Sequence, residues 1–442
     1  MAGTGHPSVS PGFVPQRRAF IAPQPYRLGM LWTIIAVISL TIVGPYLSYK
    51  PAPFTGEGSP LRQIVYILTF GLAIYTTRAW RAPMRLLVLP ASLVLVLAWC
   101  WLSLSWALNP DIALRRLVLT SMLIWTIFIL VNNAGYATTM TAIRTVLSVL
   151  VLINYVAVIA FPESGIHQFG DIDNDNDLAG SWRGIMLQKN FAGAICALTI
   201  MIFLLDGRRL KPLLRWSVIL ATAFFLIRTN SKTSMGIGAL GIFTAWLYNR
   251  YNPAYRALLI PAVMILGVGL FILSQIYWKE LAEPFNSPAG FTGRVQIWPA
   301  LIAYAHDHPL LGAGYGSFWN IGLGFGPIFT YAKGWVTGLG NGHNGYLDLL
   351  VQIGFPGLGL VILATIIMPL VRLLSSYSAP RPAGGLLVSM IVFCAGHNMT
   401  ETSLFDRDAI VQVFLMFAIA MIAPVTAPPR RPIPTGAEPH RG

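Results

Sequence analysis

The chain has 442 residues, of which 55% are hydrophobic and only 10% charged, with a formal net charge of +14. A soluble protein of this size carries roughly a quarter charged residues. The composition therefore excludes an ordinary soluble domain and indicates an integral membrane protein with many spans. In such a chain a basic excess speaks of membrane orientation, and nucleic acid is not an expected partner.

In chain order, residues 1–27 are expected to form a disordered cytoplasmic tail. The pair Arg17 and Arg18 in "QRRAFIA" does not make a secretion signal, because the apolar run starts only near Leu28 and no small-residue cleavage site follows. Apolar runs near 28–48, 61–77, 86–106, 117–132, 142–161, 190–205, 213–228, 233–248 and 257–277 predict the first nine spans. Runs near 354–374, 384–397 and 409–425 predict three more within 345–425, and residues 426–442 form a second cytoplasmic tail. The predicted fold class is an all-α integral membrane protein of about 12 transmembrane helices.

Alternating these spans with the N-terminus inside puts most Lys and Arg on the inner side, including Arg78, Arg81, Arg85, Arg208, Arg209, Lys211, Arg430 and Arg431. That bias favours both termini inside. Cys100, Cys196 and Cys394 all lie in apolar runs and read as small core residues rather than a disulfide or metal set.

Two outer connections are long, one near 162–189 and one at 278–344. Long loops in compact proteins usually carry function. The second holds three Gly-x-Gly-x-Gly runs, at Gly312, Gly314 and Gly316, at Gly322, Gly324 and Gly326, and at Gly338, Gly340 and Gly342. Without a βαβ context these are no dinucleotide fingerprint. They predict tight turns and close backbone approach, with an anion-binding nest as the alternative.

The outer side also gathers cations. Arg183 and Lys189 lie in "SWRGIMLQKN", Arg228 and Lys232 in "RTNSKTS", and Arg294 in "FTGRVQIW". One such residue alone could snorkel to the interface. Several together suggest an anionic ligand such as phosphate, for which Arg offers a planar bidentate donor. The stretch "GHNGYLDLL" places His343 and Asn344 at the start of an apolar helix that carries Asp348. His343 can serve as a near-neutral base or stand as a capped interfacial residue. On a helix starting there, Asn344 and Asp348 share a face away from His343, so Asp348 is expected to fix the helix.

"DIDNDND", with Asp171, Asp173, Asp175 and Asp177, lacks the Gly and Glu of an EF-hand loop, so a solvated acidic loop is favoured over a divalent site. His306, Asp307 and His308 could hold a metal, but no other outer cluster supplies matching ligands, and no metal is assigned. "HNMTETSLFDRD" repeats the His-Asn pair at His397 and Asn398 and adds Glu401, a second base or a partner that orients one.

Taken in order, "WRGIMLQKNFAG", "SKTS", "GRVQIW", "HPLLGAGYGSFW" and "GHNGYLDLLVQIGFPGLGL" resemble the O-antigen ligase and Wzy-type polymerase superfamily, with the likeness strongest to its ExoQ-like exopolysaccharide polymerases. The likeness covers roughly residues 180 to 375. It implies a GT-C-like, metal-independent, inverting glycosyltransferase with no cofactor, a multi-pass protein of the bacterial inner membrane with its site facing the periplasm. Its substrates would be undecaprenyl-diphosphate-linked oligosaccharides as donor and acceptor. Membrane lipids, a flippase and a chain-length regulator would be its other partners. By the same likeness, Arg183 and Arg294 would bind the diphosphate, with Lys189 and Lys232 at further basic positions, and His343 would act as or assist the base. Asn344 and Glu401 are candidate supports. The leading expectation is polymerisation of repeat units into exopolysaccharide. The alternative is a ligase that transfers the glycan to lipid A-core, and a polysaccharide transporter or flippase is the reading from another class. A transporter predicts midplane charges and internal pseudo-symmetry, neither of which the sequence displays.

Overall fold

A computed structural model describes residues 24–47, 58–169, 178–259, 261–262, 265, 296–322 and 324–428. Regular structure among these is helical. The main helices are α1 (Gln24–Val43), α2 (Pro60–Thr76), α3 (Ala91–Leu102), α4 (Pro110–Ala160), α5 (Lys189–Asp206), α6 (Pro212–Arg228), α7 (Lys232–Arg250), α8 (Trp298–Asp307), α9 (Gly345–Ile362), α10 (Met368–Leu374), α11 (Arg381–His397) and α12 (Ile410–Thr426).

Apart from α8, which lies within the stretch 278–344 predicted as a loop, these overlap the predicted apolar runs, and most of the run 257–277 lies outside the described residues. Several helices are long and apolar enough to cross a membrane, among them Pro110–Ala160, Lys189–Arg209 and Gly345–Leu374. The chain is thus a helical protein of multi-pass membrane character. Short helix starts are written in the sequence: α2, α4 and α6 each begin with Pro in the first turn, where its missing amide costs nothing. Ser59 and Asn109 cap α2 and α4 by accepting the amides of Arg62 and Ile112.

The 51 residues of α4 hold two of the predicted runs. They are separated at Gly135, whose φ of 76° and ψ of 171° are not helical and are open to glycine at no steric cost. Beyond it, Tyr136 reaches Asp206 at the far end of α5, while Asn154 accepts the amide of Ile185 just before α5 begins. The second half of α4 therefore runs antiparallel to α5. The first half begins at Asn109, whose amide donates to Ser317 in the large loop. Both ends of α4 thus lie at one end of the molecule and Gly135 lies at the other.

The core is built on α5, α11 and α12. Nearly every side chain of α12 from Ile410 to Ile422 is buried, as expected of a helix that is apolar all round. α11 approaches α7 closely because small residues face large ones: a Cβ on Gly384 would stand 2.5 Å from the Tyr248 hydroxyl. The outer faces of α2 and α6 expose Ile64, Leu68, Leu72, Leu213, Leu220 and Phe224. In water such a surface would be strongly unfavourable; lipid tails cover it. Cys100, Cys196 and Cys394 are free and buried.

Candidate functional site

Three helices start at one place. α5 starts at Lys189, and the Asn190 side chain donates to Glu401 Oε1 at 2.6 Å. α7 starts at Lys232, and its Thr233 hydroxyl lies 3.1 Å from that of Thr400. α9 starts at Gly345, whose amide donates to the carbonyls of Asn398 and Glu401. All three N-termini thus meet the turn that follows α11. Each brings the positive end of its dipole to that point, a setting that favours a bound anion.

His343 stands in this convergence, just outside α9. Asn344 is the N-cap, accepting the amides of Tyr346 and Leu347 at 3.1 and 3.2 Å. The helical-wheel expectation that started α9 at His343 therefore does not hold, because the cap falls one residue later. His343 has a φ of 49°, a left-handed conformation that costs a bulky residue about 1–2 kcal/mol. Its neighbours enforce it. The His343 amide donates to Asn341 Oδ1, the Gly342 carbonyl accepts from Trp298 Nε1 at 3.0 Å, and the Gly342 amide donates to both oxygens of Asp348 at 3.0 Å.

Asp348 is only 2% exposed. Besides Gly342 it accepts from Trp319 Nε1 at 2.8 Å and from the Thr402 hydroxyl. One carboxylate thereby joins the large loop, the turn before α9 and the turn after α11. Its partner is the segment ahead of the helix rather than the helix itself.

Glu401, also 2% exposed, places Oε2 3.5 Å from His343 Nδ1. This is ion-pair distance without hydrogen-bond geometry, and Nδ1 has no hydrogen-bond partner among the described residues. A buried carboxylate beside an imidazole favours the ring that carries a proton on the facing nitrogen, which leaves Nε2 to exchange protons with a ligand.

The other expected residues are placed as follows. Arg183 sits in the loop before α5, where its Nε donates to the Ser164 carbonyl at 2.8 Å. The Lys189 amide donates to Nε2 of the buried His167 at 3.2 Å. Lys232 is exposed in the first turn of α7, and Arg228 stacks over Trp182 with 5.1 Å to the ring centre. Helix starts and short loops thus bring Arg183, Lys189 and Lys232 to the His343 end of the molecule. Arg294 and Asp171–Asp177 lie outside the described residues. In the His306, Asp307, His308 group, Asp307 accepts from Tyr331 and the His308 ring packs 4.5 Å from Tyr304.

The first glycine run behaves as the spacing suggests. Gly314 has a φ of 87°, and a Cβ there would lie 2.6 Å from Ala107 Cα. The carbonyls of Gly316, Trp319 and Asn320 turn inward and accept from the Arg116 guanidinium at 2.6, 2.7 and 3.2 Å. The loop's acceptors are therefore matched by a cation from α4, an arrangement opposite to an anion nest.

Sequence reasoning did not find Asn190 or Trp319, or the link between Thr233 and Thr400. Asn190 follows Lys189 in a quoted motif, so a polar residue at the mouth of an apolar helix was the available signal.

A family model described as O-Antigen ligase matches residues 216–362, the stretch that holds α7, the large loop, His343 and Asp348. An exopolysaccharide production protein, ExoQ, of Rhizobium meliloti is 26% identical over 274 residues, which cover 57% of this chain. This chain spans 60% of the length of that curated relative. Across residues 216–362 the chain is thus similar to the O-antigen ligase family, the likeness its motifs suggested.

Proposed function

We propose that the protein is a membrane glycosyltransferase that joins lipid-diphosphate-linked oligosaccharide units into a polysaccharide. The carrying observation is His343 held between a buried carboxylate and three converging helix N-termini. That combination offers a proton acceptor beside an anion site, the two things glycosyl transfer from a diphosphate requires.

In this reading the acceptor sugar hydroxyl gives its proton to His343 Nε2 as its oxygen attacks the anomeric carbon of the donor. The bond between that carbon and the diphosphate oxygen breaks, and the diphosphate leaves with the bonding pair. Attack from the face opposite the leaving group inverts the anomeric centre. Glu401 supports the positive charge that grows on the ring, and Asn190 fixes Glu401. Proton transfer of this kind is worth roughly 10²- to 10⁴-fold in rate. Arg183, Arg294, Lys189 and Lys232 meet the charge that develops on the diphosphate, assisted by the helix dipoles. Asn344 supports the site by holding the start of α9.

The substrate is read as an undecaprenyl-diphosphate-linked repeat unit, entering laterally from the membrane, with the site facing the periplasm and both termini cytoplasmic. The printed name of the Rhizobium meliloti relative favours exopolysaccharide polymerisation. The family description favours the second reading, a ligase that hands the glycan to lipid A-core.

Cells lacking the protein separate the two readings. A polymerase null accumulates single lipid-linked repeats, and a ligase null accumulates long unattached polymer. Purified protein that moves lipid-linked sugar across a bilayer without forming a glycosidic bond would overturn both.

A further inference from the structure

The end of the molecule opposite His343 holds a cavity of about 660 Å³. α5 fixes the separation. Asn190 at its first turn touches Glu401, and Asp206 at its last residue lines the cavity, so the two sites stand about 25 Å apart along a helix rising 1.5 Å per residue. The cavity lies between the Gly135 bend of α4, the end of α5, the connection into α11 and the end of α12. Its volume is that of a small-molecule site.

Its lining has two parts. Met140, Leu205, Ala383, Pro424 and Val425 make an apolar wall between the helix ends. Arg144, Arg208 and Arg209 stand with a single acid, Asp206. That acid is already engaged: Arg144 Nη1 donates to Asp206 Oδ2 at 2.5 Å, and the Tyr136 hydroxyl donates to Oδ1 at 3.0 Å. Arg208 and Arg209 are exposed at the rim. Arg208 has neither a hydrogen bond nor an ion pair among the described residues.

A soluble anion would be served by the two arginines alone and would leave the apolar wall wet. An uncharged lipid would leave the arginines unused. An amphiphile with a phosphate head satisfies both, and the cavity sits at helix ends, the level at which lipid headgroups meet apolar chains. We propose that this cavity binds an anionic phospholipid, with Arg208 and Arg209 on its phosphodiester and the apolar wall against the first methylenes of its chains. The proposal does not depend on the catalytic reading, because it concerns the other end of the molecule and a binding readout.

The test uses the full-length protein purified in detergent and titrated with phosphatidylglycerol or phosphatidylcholine, with bound lipid counted by native mass spectrometry. One phosphatidylglycerol is expected to bind at least tenfold more tightly than phosphatidylcholine. Arg208→Ala with Arg209→Ala should abolish that preference. Ala427→Trp, which fills the exposed rim while leaving both arginines, should also displace the lipid. Arg81→Ala, a cation stacked on Trp80 in another loop, should change nothing. Equal binding of the two lipids, or an unchanged preference in the double variant, would overturn the proposal. So would full displacement of phosphatidylglycerol by equimolar inorganic phosphate, which would mark a site for soluble anions.

Discussion

The carboxylate of Asp348 accepts the backbone amide of Gly342, so a buried side chain inside α9 holds the residue that precedes His343. The bond crosses the left-handed turn at His343 and fixes it from the helix side. Trp319 and Thr402 share the same carboxylate, which couples the large loop and the turn after α11 to the ring's position.

Asp348→Asn should therefore harm both stability and turnover. The three groups around Asp348 all donate, and an amide nitrogen would face at least one of them. Leaving a buried donor unmatched costs about 1–3 kcal/mol. Thermal unfolding in detergent should show a lower midpoint, and turnover should fall at least tenfold. A variant as active as the wild type would remove Asp348 from the positioning of His343.

Glu401→Gln keeps an oxygen for Asn190 but removes the charge 3.5 Å from His343 Nδ1. The proposed role concerns charge that grows on the ring in the transition state. The loss should thus appear in kcat, roughly tenfold to a hundredfold, with KM little changed. A rise in KM at constant kcat would instead assign Glu401 to substrate binding.

Arg183→Ala and Lys232→Ala should each weaken use of the diphosphate donor. Both residues lie at the His343 end, Arg183 in the loop before α5 and Lys232 in the first turn of α7. Each change is expected to lower kcat/KM about tenfold or more, the scale of one charge-assisted contact. Kinetics against donor concentration check this, and unchanged kcat/KM in either variant would take that residue out of the site.

Asp408 supplies a test of the fold away from the chemistry. It pairs with Arg62 and accepts the Tyr66 hydroxyl at 2.5 Å, joining α2 to the segment before α12. Burial pushes its carboxyl upward, yet the Arg62 charge and the Arg62 and Tyr66 hydrogen bonds outweigh this and hold it below the ordinary range. A depressed carboxylate contributes stability above its unfolded pKa of about 4 and loses it as pH falls through the folded value. Asp408→Asn should cost about 3 kcal/mol near neutrality, because it removes the buried carboxylate charge that faces the Arg62 guanidinium. The difference in unfolding midpoint from the wild type should narrow as pH drops below about 4. A difference that stays constant with pH would contradict the ion-pair account.

Much of the helical layout was legible because span length and apolarity are strong local signals. The predicted runs at 117–132 and 142–161 are the two halves of α4, and the Gly135 break lies between them. The run predicted at 354–374 begins earlier, at Gly345, because Asn344 caps the helix through the polar first turn that hydropathy alone does not count. At the site, the sequence suggested the residue types and the motif order but not the contacts. The Glu401 contact with His343 spans 58 positions and depends on how the turn after α11 meets the start of α9, which no local spacing encodes. The left-handed turn at His343 was likewise hidden, since the enforcing group, Asp348, lies on the far side of the cap.

The central claim is that His343 takes the acceptor's proton during glycosyl transfer. It is tested most directly by reconstituting wild-type and His343→Ala protein with a defined undecaprenyl-diphosphate-linked repeat unit and following the glycosidic bonds formed. The account predicts polymer from the wild type, and none from a His343→Ala protein that unfolds at the wild-type temperature. Polymer formed at the wild-type rate by His343→Ala would contradict it.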